Sequence, residues 1–285
     1  MPNKKSSNLQ SGLEDLYMGK GYHYFVDSVS GSNSYGGRSW RTALSTLTYA
    51  LTVVAAHDVI HLSGSFNEAV TVPYALNDLT IIGGDYNRRT ARLKYGTGGS
   101  PVITVRAERV SLLNLFMEAP SDSSAIAVER SGGSTTYYAN NTLIKNIEFW
   151  TGKMGVDFGR EGSHNVSIED CVFRNMRAAS AKAIGATVNG SPVRATIKRC
   201  TFRGNINHVV VALIDSDIID CHFMDASSQS QSTTDKINLT NGSDNQIVGN
   251  QLSGTYSNAG GYTAGSNDNW VGNFIAGGVT TANPS

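Results

Sequence analysis

The sequence predicts an all-β fold: a single-stranded parallel β-helix with a short N-terminal capping α-helix. Three observations predict it. All three cysteines occupy one slot of one phrase: IEDCVF at 168–173, IKRCTF at 197–202 and IIDCHF at 218–223. Degenerate copies of that phrase recur further along the chain. Apart from one amphipathic stretch near the N-terminus, the rest is short apolar runs separated by Gly, Asn, Ser and Asp.

Taken in order, residues 1–21 are polar and weakly patterned, but Leu13, Leu16 and Tyr17 stand at i, i+3, i+4, one helical stripe. Alone, such a segment reads as a disordered tail; with a partner, as an attachment arm. Residues 22–285 form the β-helix domain. YHYFVD begins it as a strand and breaks into a Gly/Ser/Asn loop. The capping helix is expected over about 45–56, with Ser45 as N-cap and Leu47, Ala50, Leu51 and Val54 on its buried face. DVIHLSG, FNEAVTVP and LTIIGG follow as short β runs.

The rest is governed by a repeat: an apolar residue, a slot three places on, and an apolar residue two further. It fits Ile144–Ile147–Phe149, Ile168–Cys171–Phe173, Ile197–Cys200–Phe202, Ile218–Cys221–Phe223, Ile247–Asn250–Leu252 and Trp270–Asn273–Ile275. Leu112–Leu115–Met117 fits more loosely. Successive first members are 24, 29, 21, 29 and 23 residues apart. Second apolar runs, such as Val156–Phe158 and Ile237–Leu239, precede most copies. An all-β repeat of this length with uneven loops is the signature of a solenoid, whose coils bury a core only by stacking. The LxxLxL phrase of leucine-rich repeats is missing, and propeller blades need about 40 residues or more.

Stacking turns each slot into a column. The column Cys171, Cys200, Cys221, Asn250, Asn273 reads as a structural ladder at a turn between two strands, with Cys acting as a compact hydrophobe and Asn taking a left-handed turn. The next columns outward carry Lys145, Glu169 and Lys198, and Asn146, Asp170, Arg199 and Asp220, so charges alternate between coils. The first column then turns apolar, at Ile219, Val248 and Val271, which suggests that this face is covered near the C-terminus, by a neighbouring chain or by the tail.

Composition narrows function. The chain is 40 % hydrophobic, 16 % charged and carries no net charge, so nothing draws it to nucleic acid or an anionic membrane. No apolar run approaches the roughly 18 residues of a membrane span. MPNKKSSNLQSGLEDLYMGKG lacks the apolar core of a secretory signal, so export by that route is not expected. Three cysteines without CxxC spacing suit neither a disulfide scaffold nor a zinc site, and no cofactor or metal is expected.

With the opening YFVDSVSGSNSYGGRSWRTALSTLTYAL, the stretches DVIHLSGSFNEAVTV and LTIIGG, and the repeated IxxCxF phrases, the chain resembles the right-handed parallel β-helix proteins of the pectin-lyase-like superfamily over about residues 22–280. The resemblance implies a right-handed coil and, by likeness to phage members, a homotrimer. It leaves chemistry open, because this fold carries lyases, hydrolases, adhesins and phage spikes. Lyases of the superfamily use Asp residues for calcium and an Arg or Lys as base; its glycosidases use paired Asp residues. No such motif occurs here. Asp157, with Arg160, Glu161 and His164 close behind, is the least explained acidic cluster and the one weak catalytic candidate. The expectation is a virion structural protein of tailspike, fibre or head-decoration type, attached to other virion proteins through its arm and meeting host surface polysaccharide. The alternative is a polysaccharide lyase or glycoside hydrolase.

Overall fold

The structure, a computed structural model, describes residues 21–84, 90–95, 99–131, 137–159, 163–187, 190–224, 233–276 and 278–284. The arm residues Leu13, Leu16 and Tyr17 lie outside these, as do Arg160 and Glu161.

The chain winds as a right-handed parallel β-helix with three strands to a coil. Sheet A holds the first strand of each repeat phrase, among them Leu143–Lys145, Ser167–Glu169, Thr196–Lys198, Asp217–Ile219 and Gln246–Val248. Sheet B holds the second, such as Glu148–Trp150, Val172–Arg174, Thr201–Arg203 and His222–Met224. Sheet C holds the separate apolar runs: Ser124–Val128, Met154–Asp157, Lys182–Gly185, Asn207–Val210 and Asp235–Asn238 among them.

The repeat register holds residue for residue. Ile144, Ile168, Ile197, Ile218 and Ile247 pair in succession, and so do Phe149, Phe173, Phe202, Phe223 and Leu252. The phenylalanine rings lie 4.5, 5.0 and 4.7 Å apart and within 4° of parallel, fully buried. Leu112 and Met117 extend both columns one coil toward the N-terminus. Before that the phrase is lost, although the coil continues: Val59–Asn67 runs as one strand through sheets A and B without the turn.

The slot between the two strands works differently from the sequence expectation. The left-handed residue is the one before it: Asn114, Asn146, Asp170, Arg199 and Asp220 have φ of 51–57°, and Gly249 and Gly272 have 70°. The ladder residues themselves are buried and act as donors and acceptors. Asn250 and Asn273 donate from Nδ2 to the carbonyls of Ile218 and Ile247 one coil back, at 2.8 and 2.7 Å. Their Oδ1 atoms accept from the backbone N–H of Cys221 and Asn250. Cys200 and Cys221 donate from Sγ to Ile168 and Ile197 at 3.4 and 3.5 Å, and Cys221 Sγ accepts from Cys200 N–H. From Cys171 onward the slot holds a side chain that can both give and take a hydrogen bond, a role that a thiol fills weakly and an amide well, while in the two coils before it the buried apolar Leu115 and Ile147 fill the slot. A second ladder, Ser216, Asn245 and Asp268, does the same work at the turn from sheet C to sheet A.

Other expectations need correction. The helix α1 is Leu47–Val53, shorter than expected, and its N-cap is Thr46, whose side chain accepts from Tyr49 N–H. Ser45 is occupied instead in donating its N–H to Asn33 Oδ1. The helix ends early because Asp58 takes the N–H of Ala55 at 2.7 Å. The charge ladder is real between Lys145, Glu169, Asp170 and Arg199, and Arg199 holds the Asp170 carboxyl below the usual range. Asp220, however, leans the other way, over Gly249: a Cβ there would lie 2.7 Å from Asp220 Oδ1. Among the described residues Val271 remains exposed, so the tail does not cover the apolar end of that face. The tail closes the last coil instead, through Thr280 and Asn283, beside the buried Tyr262 and Trp270.

Candidate functional site

On a parallel coil, the side chains that point out of one sheet line up along the helix axis. Sheet C presents two such columns. One runs Ser124, Met154, Lys182, Asn207, Asp235; the other Ala127, Asp157, Gly185, Val210, Asn238. Turns rise on both sides of them: Asp122–Ser123, Lys153 and Ser180 before the strands, Glu129, Gly159 and Thr187 after them. Between these walls lies a groove of about 440 Å³ that spans four coils, from Gly99 and Pro101 to Lys182.

Its chemistry is uneven. The carboxylates are already committed within the chain. Asp157, 6 % exposed, accepts from Gly159 N–H at 3.0 Å and from Thr187 N–H at 2.9 Å, and also from the Thr187 hydroxyl. Glu129 takes Arg106 Nε at 2.8 Å, and Asp122 takes the N–H of Gly99 at 3.0 Å. The two lysines differ. Among the described residues, neither the Lys153 nor the Lys182 ammonium has a hydrogen-bond or ion-pair partner. Lys182 lies across Gly185, where a Cβ would sit 2.6 Å from its Cδ. The glycine thus leaves the groove floor open for the lysine stem, next to Asp157 in the same column.

The sequence-derived cluster does not assemble as one site. Asp157 lines the groove, but as a brace between two coils. His164 is fixed through its backbone to Asn140 and Asn141 in the turn toward sheet A and is not part of the groove lining. The other acidic residues lie elsewhere; Asp217 is on sheet A, its carboxyl raised by burial and by the charge of Asp215. His208 is buried between Phe202 and Phe223, donating from Nε2 to Met224 O while Asn205 occupies Nδ1. His222 lies on a sheet B strand, away from the groove. No three His, Cys, Asp or Glu side chains among the described residues are placed to share a metal ion. Sequence reading missed Lys153 and Lys182, which stand 29 positions apart in no recurring phrase. Only the sheet C register brings them together, Lys182 N–H donating to Lys153 O at 2.8 Å.

A wider, shallower depression of about 550 Å³ lies on the far side of the same turns, lined by Ser121, Thr151, Asn175 and Arg177.

No family model and no curated protein matches the chain. Among solved structures it is similar to pectate lyase Pel9A, at 13 % identity and TM-score 0.63, over 90 % of this chain and 68 % of that one. It is similar to the alginate lyase from Paenibacillus sp. str. FPU-7, at 17 % identity and TM-score 0.54, over 80 % and 94 %. The GH136 lacto-N-biosidase from Eubacterium ramulus matches at 11 % identity and TM-score 0.58, over 94 % of this chain and 57 % of that one. Identities this low show the fold alone, a right-handed parallel β-helix.

Proposed function

We propose that this chain binds an anionic polysaccharide along the sheet C groove, as a β-helix exposed on a phage particle. The observation that carries the binding reading is the pair Lys153 and Lys182, without partners among the described residues, in an open groove aligned with the helix axis. An ammonium that has no partner among the described residues is available to a ligand carboxylate or sulfate, and the hydroxyls of Ser123 and Ser180 supply donors and acceptors for sugar hydroxyls, while that of Thr187, which donates to Asp157, supplies an acceptor. The structural neighbours named as lyases act on acidic polymers of this class, which supports the reading. The particle and attachment through residues 1–21 are supported by the uncharged polar composition and the stripe Leu13, Leu16, Tyr17; a homotrimer is what the resemblance to phage β-helix proteins implies. The test is calorimetric titration with acidic polysaccharides. Lys153→Ala and Lys182→Ala should each weaken binding at least ten-fold; binding indifferent to both removes the groove from consideration.

One observation favours a second reading, a polysaccharide lyase. Lys182, held over Gly185 beside Asp157, is placed as a base. Such a base removes the proton on the carbon next to a uronate carboxylate, the C–O bond to the leaving sugar breaks, and an unsaturated end forms. Incubation with uronate polymers should then release ultraviolet-absorbing unsaturated ends, and Lys182→Ala should abolish them.

A further inference from the structure

We infer that the anionic ligand carries its acidic groups at intervals, one acidic sugar between neutral ones, and is not a continuous polyuronate. This rests on the groove reading above and concerns the order of charge along the groove. The cationic band is narrow. Lys153 adjoins Met154, and Met154 pairs with Lys182, so both ammonium groups come from two successive coils, roughly 5 Å of axis apart. Acidic side chains bound this band on both sides. Asp122 and Glu129 belong to the coil that precedes Lys153, the coil of Ser124. Beyond Lys182 the same outward column continues to Asn207 and then Asp235.

A chain lying along the axis meets these groups in sequence: carboxylates, ammonium groups, an amide, a carboxylate. A polymer with an acidic group on every sugar would satisfy the lysines with one of them and bring its neighbours against Asp122 or Asp235, where like charges disfavour it; Glu129, paired with Arg106, adds little to this. A neutral sugar at those points does the opposite. Its hydroxyls donate to carboxylates, and those of Asp122 and Asp235 are half-exposed or exposed and aligned with the same path. The carboxylates act as specificity elements that reject a wrong charge spacing, while the lysines supply the attraction.

The experiment titrates the full chain with three probes of equal length at one salt concentration: hyaluronan oligosaccharides, with a uronate at every second sugar, oligogalacturonate, with a uronate at every sugar, and neutral dextran oligosaccharides. Hyaluronan should bind at least ten-fold more tightly than oligogalacturonate, and dextran should not saturate. The double variant Asp122→Asn, Asp235→Asn should narrow the gap by strengthening oligogalacturonate binding. Oligogalacturonate binding as tightly as hyaluronan, with both lysines still required, would overturn the spacing inference and leave the groove reading intact. Absence of lysine-dependent binding to every probe would overturn both.

Discussion

At the scale of single residues, the ladder slot shows how a sequence pattern can be legible while its cause is not. Cys171, Cys200, Cys221, Asn250 and Asn273 were visibly one column. That the column trades hydrogen bonds between coils emerges only from the carbonyls it faces, on Ile144, Ile168, Ile197, Ile218 and Ile247. A consequence can be measured. Asn250→Leu leaves the Cys221 N–H buried without a partner, at a cost of roughly 1–3 kcal/mol, and takes from the Ile218 carbonyl one of its two donors. Asn250→Cys keeps a weak donor and acceptor and should cost clearly less in urea unfolding. Equal losses for the two variants would mean that size alone rules the slot. His61 gives a pH dependence. Burial, then the neighbouring His23 ring 2.9 Å away, lowers its pKa from 6.5 to about 4. The folded state thus stays neutral between those values while the unfolded chain takes up a proton. Stability should fall as pH drops from 6.5 to about 4 and lose no more to this group below that. His61→Gln should flatten that part of a melting-temperature profile.

At the scale of elements, the turn decides what can be read from sequence. Coils from 112 onward share a two-residue turn, so their phrase repeats and their register was evident. The earlier coils lack that turn. Val59–Asn67 passes from sheet A to sheet B as one strand, with Gly64 at φ 96°, and the next coil breaks between Gly83 and Ala91. Their core positions Ile60, Phe66, Ile81 and Leu93 occupy the same columns without the same spacing. The groove was illegible for a related reason: outward positions of sheet C face solvent or ligand, so no packing rule repeats them. The core columns do obey such a rule, and Phe202→Ala should cost about 3–5 kcal/mol through the cavity left between Phe173 and Phe223, measured by denaturant unfolding. The helix α1 is also set by a distant element. Its first N–H groups, on Leu47 and Thr48, donate to Glu68 Oε1 and Oε2 at 3.1 and 2.8 Å, a carboxylate brought from the loop after the Val59–Asn67 strand. A negative charge at a helix N-terminus contributes about 1 kcal/mol, so Glu68→Gln should lower the melting temperature by a few degrees without altering the β-helix circular dichroism.

At the scale of the whole molecule, a coil stack is defined by its ends, because open ends would expose core and unpaired strand edges. The N-terminal end is closed from residue 21 onward. Gly21 N–H donates to His57 O at 3.0 Å, Tyr22 N–H to Asp58 Oδ1 at 2.6 Å, and α1 buries Leu47 and Ala50 against the first coil. The Asp58 carboxylate is itself buried, so the entry of the chain is fastened by a group that also stops the helix. These contacts all come from the described residues, with residues 1–20 outside them. Removal of residues 1–20 should therefore leave the melting temperature and the glycan affinity of the groove unchanged. If the stripe Leu13, Leu16, Tyr17 serves attachment, the same truncation should abolish incorporation into particles, because a short amphipathic segment gains order by docking and loses it alone. Sedimentation of particles assembled with full-length or truncated protein separates the two effects. Truncated protein that melts normally and still co-sediments would refute the attachment role, and a truncated protein that melts earlier would show that the segment belongs to the cap.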